Sequence, residues 1–243
     1  MAKRIVIIPA FNEEMNIASV VEGVKRYSDA DIVVIDDGSK DLTAEKAAET
    51  GAFVIRHPFN MGYGVALQTG YKYAVKNRYE LLVQIDGDGQ HDPKYIPDLF
   101  TLVESTSCHV AIGSRFLGRE GYETGLLKSI GIMLFRAIIR MIIGQKITDP
   151  TSGYQCLDRK IFDVFTDNSF PSDYPDANVI ILLHRMGFSV KEMPVKMVPN
   201  FKGRGMHRGF FKLAYYFFKM FLMIFIALLR ENPRKKRDLN GTK

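Results

Sequence analysis

Tryptophan is absent from the 243 residues, cysteine occurs only twice, and no stretch of twenty apolar residues runs free of charge. The two cysteines, Cys108 and Cys156, form no C-x-x-C pair, which argues against a disulfide framework or a zinc site and fits a reducing compartment. The opening Met1-Ala2-Lys3-Arg4-Ile5 passes straight into a strand-like run ended by Pro9. That run is too short and wrongly flanked for a signal peptide, so a cytoplasmic protein is expected. Internal repeats and low-complexity segments are missing as well. What is there is 47% hydrophobic content, enough to fill a sizeable core, and 33 basic residues against 27 acidic ones. The net charge of +6 suits a phosphate-rich ligand or an anionic membrane and selects neither.

Short β-branched runs at Ile5 to Ile8, Ile32 to Ile35, Phe53 to Ile55, Leu81 to Ile85 and Val110 to Ile112 read as strands, and helical periodicity separates the first four. This predicts a βαβ series around a buried, mostly parallel sheet. Asn12 is expected to cap a helix from about Glu13 to Tyr27, and Asp41 and Thr43 sit where a second helix begins. Polar clusters follow the strands, and in open α/β sheets ligands bind outside the carboxyl ends of strands. One crevice lined by those clusters is therefore expected.

Beyond about Gly118 the composition changes. Leu126 to Ile143 combines Leu127, Ile130, Leu134, Ile138 and Met141 with Lys128, Arg136 and Arg140, an amphipathic helix with a basic face. It fits either packing on the sheet with its charges in water or lying in a membrane interface. A further helix is expected from about Asp176 to Met186, and the alternation from Phe188 to Val198 predicts an edge strand. Phe210 to Leu229 is the most apolar stretch, but Lys219 near its middle makes a simple span costly. One or two helices in the interface fit better, with Arg234-Lys235-Lys236-Arg237 near anionic headgroups. The expected division is residues 1–208 as catalytic domain and 209–243 as membrane-associating helices and tail.

The chemistry concentrates at strand ends. In Gln84-Ile85-Asp86-Gly87-Asp88-Gly89-Gln90-His91 the two carboxylates stand at i and i+2, which point the same way in extended chain and can share one hard cation such as Mg²⁺ or Mn²⁺. Two acids in a turn are common, so the spacing alone does not specify a cation site; a further ligand at Gln90 or His91 strengthens it. Asp36-Asp37-Gly38-Ser39 fits a ribose or base contact and equally an Asx turn. In Asn60-Met61-Gly62-Tyr63-Gly64 the glycines let backbone approach a nucleotide ahead of a helix through Ala66 to Ala74.

Taken in order with Pro9-Ala10-Phe11-Asn12-Glu13-Glu14, Gly113-Ser114-Arg115 and Asp149-Pro150-Thr151-Ser152-Gly153, these motifs resemble the family-two glycosyltransferases. The branch is that of dolichol-phosphate mannose synthase and the bacterial polyprenyl-phosphate glycosyltransferases, and the resemblance covers about residues 3 to 205. It implies a GT-A (Rossmann-like) α/β fold, a mixed, mostly parallel sheet flanked by helices, with C-terminal amphipathic membrane-interface helices. It assigns Pro9, Ala10 and Glu13 to the nucleotide pocket, places Asp37 near the base or ribose, and has Gly62 and Gly64 close that pocket. Asp86, Asp88 and Gln90 become the ligands of Mg²⁺ or Mn²⁺, and Arg115 lies near the donor phosphates. Asp149 to Gly153 becomes an acceptor-side motif. Arg204, within Lys202-Gly203-Arg204-Gly205-Met206-His207-Arg208, takes the place of the basic loop that meets phosphates. The usual Arg-x-x-Gly-x-Ser-Lys is not reproduced there, so Lys202, Arg204 and Arg208 all remain candidates beside a plain solvated loop.

The implied activity is inverting transfer of a sugar from a nucleotide-sugar, with UDP preferred, to a polyprenyl phosphate at the cytoplasmic face of the membrane. A GDP-mannose-dependent synthase is the alternative, and a non-catalytic nucleotide-sugar-binding subunit is the alternative from another class. Asp173 and Asp176 are candidates to orient sugar hydroxyls or basic residues. A membrane surface and either a small membrane-protein partner or a homo-oligomer are implied, with no nucleic acid. Polysaccharide synthases carry a Q-x-x-R-W motif that a chain without tryptophan cannot supply. Sugar-nucleotide pyrophosphorylases need a Gly-rich first loop where Pro9-Ala10-Phe11-Asn12 stands.

Overall fold

The computed structural model describes residues 2–118, 126–167, 170–171, 177–198 and 210–229. The first half alternates as read from the sequence: β1 (Arg4–Ala10), α1 (Ile17–Tyr27), β2 (Asp31–Asp36), α2 (Thr43–Glu49), β3 (Phe53–Arg56), α3 (Tyr63–Lys76) and β4 (Leu81–Gln84). These strands pair in parallel, with Ala10 beside Asp36 and Ile7 beside Gln84. The second half adds α4 (Ile96–Thr106), β5 (Val110–Ser114), α5 (Leu126–Ile143), β6 (Gln155–Asp158), α6 (Arg159–Phe165), α7 (Ala177–Arg185), β7 (Val190–Pro194) and α8 (Phe210–Leu229).

The seven-stranded sheet runs β3-β2-β1-β4-β6-β5-β7, so β7 is the expected edge strand. Strand β6 runs antiparallel between β4 and β5. It was not anticipated, because Gln155-Cys156-Leu157-Asp158 has polar ends and no β-branched residue. Alternate strand residues feed the two faces. Ile5, Ile7, Val33, Ile35 and Leu82 pack with Leu67 and Tyr71 of α3 and with the buried sides of α5, α6 and α7. Val6, Ile8, Val34 and Val83 meet Val20, Val21 and Val24 of α1 and Leu99, Phe100 and Val103 of α4. Each such side chain stabilises by about 1.5–3 kcal/mol on burial, and two-sided covering explains why the strands read as unbroken apolar runs.

One local expectation fails. Asn12 does not cap α1, which begins at Ile17. Asn12 adopts a positive φ of 57°, its backbone N–H donates to Ser39 Oγ (2.9 Å), and its Oδ1 accepts from Lys40 N (2.9 Å). The side chain that would have satisfied its own helix instead ties the β1 loop to the β2 loop.

Helix α5 buries Ile132, Phe135, Ile139 and Ile143 and exposes Met133, Leu134 and Met141. Arg136 turns inward, its Nε donating to Thr148 O at 2.5 Å and its guanidinium lying over the Phe116 ring. Helix α8 is a single helix. It buries Ile224 and Ala227 and meets α5 where the Phe135 and Phe221 rings lie 5.7 Å apart. Arg185 of α7 donates to the carbonyls of Ala227 and Leu228, satisfying groups that a helix C-terminus leaves unpaired. The opposite side of α8 exposes Phe218, Leu222, Phe225 and Leu229. Among the described residues no helix is long and apolar enough to cross a membrane.

Candidate active site at the strand ends

The carboxyl ends of β1, β2 and β4 meet in one crevice. Asp37 N donates to Ala10 O (2.9 Å), and Gly87 N donates to Pro9 O (3.2 Å). A Cβ on Gly87 would lie 3.1 Å from Ala10 Cβ, so the loop after β4 runs close along the end of β1. The buried Asp37 carboxylate accepts from Met61 N (2.9 Å) and His57 Nδ1 (2.7 Å) on Oδ1, and from Gly62 N (2.8 Å) on Oδ2. It therefore holds the Asn60 to Gly64 loop in place. Gly38 has a φ of +70°, and a Cβ there would sit 2.4 Å from the carbonyl carbon of Phe59, so only glycine lets these two loops touch. Gly62, with a φ of 102°, turns the chain into α3, and Gly64 is buried in its first turn. Glu13 is tied by its backbone N–H to Thr43 Oγ1 (2.8 Å), while its Oε2 accepts from Asn16 Nδ2 (2.6 Å). Pro9, Ala10, Glu13, Asp37, Gly62 and Gly64 are thus brought together by one hydrogen-bonded set of loops.

Past β4, Asp86 keeps 31% of its side chain exposed and accepts from the Tyr63 hydroxyl on Oδ1 at 2.8 Å. Its backbone N–H donates to His91 Nδ1 (3.1 Å), so that nitrogen carries the lone pair and the proton sits on Nε2. The His91 ring stacks on Tyr154 with centroids 5.0 Å apart, and burial pushes its imidazole down to about 4, leaving it neutral. His91 buttresses the loop and has no free Nδ1 to offer a cation. Asp88 accepts from Gln90 N (3.0 Å) on Oδ1 and from the Gln90 amide on Oδ2. Burial raises both carboxyls above the usual range, and the Asp86 charge raises Asp88 further. The Tyr63 hydroxyl and the Arg115 charge hold Asp86 down in part.

Two neighbouring carboxylates that lose solvation together are the donor set a hard divalent cation relieves, and Gln90 can add an amide oxygen. Among the described residues no cluster of three or more His, Cys, Asp or Glu could hold a metal by itself. A partial oxygen set fits Mg²⁺ or Mn²⁺ bound jointly with phosphates, which complete the coordination.

At the end of β5, Arg115 forks onto Asp149, with Nε to Oδ2 and Nη2 to Oδ1 at 2.7 Å each, and Arg115 N also donates to Oδ2 (3.0 Å). Glu192 of β7 accepts from Thr148 N (2.7 Å) and Asp149 N (2.8 Å), pinning the Asp149 to Gly153 run to the sheet. Burial raises the Glu192 carboxyl. Ser152 Oγ donates to Gly113 O (2.7 Å), and Gln84 Nε2 donates to Gly153 O (2.9 Å), so the run closes over the end of β4. Arg204, its neighbours Lys202 and Arg208, the acids Asp173 and Asp176, and the basic tail lie outside the described residues. The sequence reading missed Tyr63, His57, the Asp149 partner of Arg115, and Glu192. Tyr63 stood in plain view inside a motif read only for its glycines.

The model of the family described as "Glycosyl transferase family 2" matches residues 5–165. Among curated relatives, the UDP-N-acetylglucosamine–dolichyl-phosphate N-acetylglucosaminyltransferase of Methanococcus voltae is 26% identical over 211 residues, 79% of this chain and 84% of the relative. The polyprenol monophosphomannose synthase of Mycolicibacterium smegmatis is 26% identical over 228 residues, covering 87% of this chain and 86% of the relative. Among solved structures, glucosyl-3-phosphoglycerate synthase from Mycobacterium tuberculosis, in complex with Mn²⁺ and UDP-glucose, superposes with a TM-score of 0.71 at 20% identity. That match spans 93% of this chain and 79% of that one, and it shows the GT-A fold. With the motifs of residues 9 to 153 gathered at one set of strand ends in that fold, the chain belongs to glycosyl transferase family 2, among its dolichol-phosphate mannose synthase-like members.

Proposed function

We propose that this protein is a metal-dependent, inverting glycosyltransferase that moves a sugar from a nucleotide-sugar, UDP-linked by preference, to a polyprenyl phosphate at the cytoplasmic face of a membrane. The observation that carries the reading is the pair Asp86 and Asp88, desolvated together at the end of β4 beside the loops that Asp37 assembles. Bound Mg²⁺ or Mn²⁺ would supply neutralisation of the charge on the departing nucleoside diphosphate. Asp86, Asp88 and Gln90 would hold it. Pro9, Ala10, Glu13 and Asp37 frame the nucleoside, with Gly62 and Gly64 letting backbone close on it. Arg115, already oriented by Asp149, brings positive charge to the donor phosphates, and Arg204 is assigned the same task. A lipid phosphate is an anion at neutral pH, so no side chain is required as a general base, and in-line attack on the anomeric carbon inverts it.

The names of the relatives from Methanococcus and Mycolicibacterium support a polyprenyl-type phosphate acceptor. The outward apolar faces of α5 and α8 support a chain that sits at the headgroup level, where that phosphate lies, aided by a small membrane-protein partner or a second copy. A second reading has GDP-mannose as the donor, and the second relative, a monophosphomannose synthase by name, favours mannose as the sugar. Radiolabelled UDP- and GDP-sugars, offered with polyprenyl phosphate and Mg²⁺ or Mn²⁺, test both readings. The expected result is label in the lipid phase with one donor class, lost in EDTA and in Asp88→Ala. Tight nucleotide-sugar binding without transfer from any donor would instead identify a non-catalytic subunit.

A further inference from the structure

Tyr63 joins two parts of the site that the motifs treat separately. It is the first residue of α3 and follows Gly62, whose N–H is held by Asp37 at 2.8 Å. Its hydroxyl donates to Asp86 Oδ1 at 2.8 Å. A continuous path therefore runs from Asp37 through the Gly62 amide and the Tyr63 side chain to the Asp86 carboxylate. We propose that Tyr63 is a positioning residue for Asp86, locking the carboxylate in one orientation so that the nucleotide loop and the cation site are assembled as one unit. The proposal rests on the reading of Asp86 as a cation ligand.

The surroundings of Asp86 show why a fixed orientation needs this contact. The carboxylate stands two residues past the end of β4, outside the sheet pairing, and keeps 31% of its side chain exposed, so no strand partner fixes its rotation. Oδ2 lies 3.8 Å from His91 Nε2, beyond hydrogen-bond distance. On the third side stands Gly153. A Cβ there would meet Tyr63 Oη at 2.9 Å and Asp86 Oδ2 and Oδ1 at 3.3 and 3.5 Å. The hydroxyl and the carboxylate together fill the space over that glycine, whose own carbonyl is held by Gln84. The chemistry of the donor matters too. A tyrosine hydroxyl orients a carboxylate and leaves its negative charge intact, whereas a lysine would neutralise the charge a divalent cation requires.

The test reads Mn²⁺ binding directly, by electron paramagnetic resonance of free Mn²⁺, with UDP and with GDP present in turn. In Tyr63→Phe, which keeps the ring and removes the oxygen, the Mn²⁺ dissociation constant is expected to rise about tenfold, in line with the loss of a hydrogen bond to a charged group. Nucleotide binding in EDTA and the far-UV circular dichroism are expected to stay as in the wild type, which a merely structural loss would not allow. Gly153→Ala supplies an independent arm. Its methyl is expected to weaken Mn²⁺ binding in the wild-type background and to do so less in Tyr63→Phe, where the oxygen it collides with is gone. Unchanged Mn²⁺ affinity in Tyr63→Phe, or strictly additive effects in the double variant, would overturn the proposal alone, provided Asp86→Asn still loses Mn²⁺. If the wild-type protein binds no Mn²⁺ with either nucleotide, or Asp86→Asn binds it equally well, the cation reading falls first and this inference falls with it.

Discussion

At the end of β5, Asp149 is fully buried, and each of its oxygens meets an Arg115 nitrogen at 2.7 Å. At the end of β4, Asp86 and Asp88 stand one residue apart, and burial together with their mutual repulsion pushes Asp88 up. Both places take carboxylates out of water. Only the first supplies, within the chain, a cation forked onto the carboxylate. A matched pair offsets its desolvation in place and gives a rigid wall. A mismatched pair stays frustrated until a positive charge arrives from outside. The two centres of this site thus differ in whether the charge on their carboxylates is balanced within the chain.

The sharpest way to break that comparison is to take one partner from each centre. Asp149→Ala strands a guanidinium that is only 10% exposed and is expected to destabilise the protein by about 3–5 kcal/mol, read as a lowered denaturant midpoint at constant m. Asp88→Asn is expected to lower sugar transfer by about 10²–10³-fold or more while leaving the denaturant midpoint unchanged or slightly raised, because it removes a like-charge repulsion. If Asp88→Asn unfolds as readily as Asp149→Ala, the two centres are alike and the division is wrong. A smaller effect sharpens it. Mn²⁺ with nucleotide at a hundredfold excess over Kd is expected to stabilise the wild type by about 2.7 kcal/mol, several degrees in a melting scan, and to stabilise Asp88→Asn no more than nucleotide in EDTA does. The smallest concerns the outer face. Phe225→Glu, at a side chain 58% exposed, is expected to weaken flotation with anionic phospholipid vesicles by about 2 kcal/mol of lost burial, yet to shift the midpoint by less than about 0.5 kcal/mol. Equal flotation of the variant and the wild type would remove α8 from the membrane surface.

Much of the first half was legible because its signals are local. The apolar runs of β1, β2 and β4 are buried on both faces, so they read as continuous hydrophobic segments, and polar turns follow them. The edge position of β7 was legible from its alternation and its terminal Pro194. Strand β6 was not, since Gln155 to Asp158 is selected by its neighbours β4 and β5. Asn12 misled for a related reason. Its residue type suits a cap, but the loop after β2, nearly thirty residues on, competes for the same oxygen and wins it.

The sequence by itself determined which residues could carry the chemistry. The order of Pro9-Ala10, Asp37, Gly62-Gly64, Asp86-x-Asp88 and Arg115 behind successive strands is a one-dimensional fact, and the parallel sheet turns it into a single crevice. Only the tertiary structure decided how each of them is used. Asp37 and Asp149 look like Asp86 and Asp88 in the sequence, yet Asp37 holds a loop, Asp149 holds an arginine, and Asp88 feels the charge of Asp86. The difference lies in partners contributed from twenty to more than thirty positions away. A carboxylate's role depends on what surrounds it in space, and chain position does not record that.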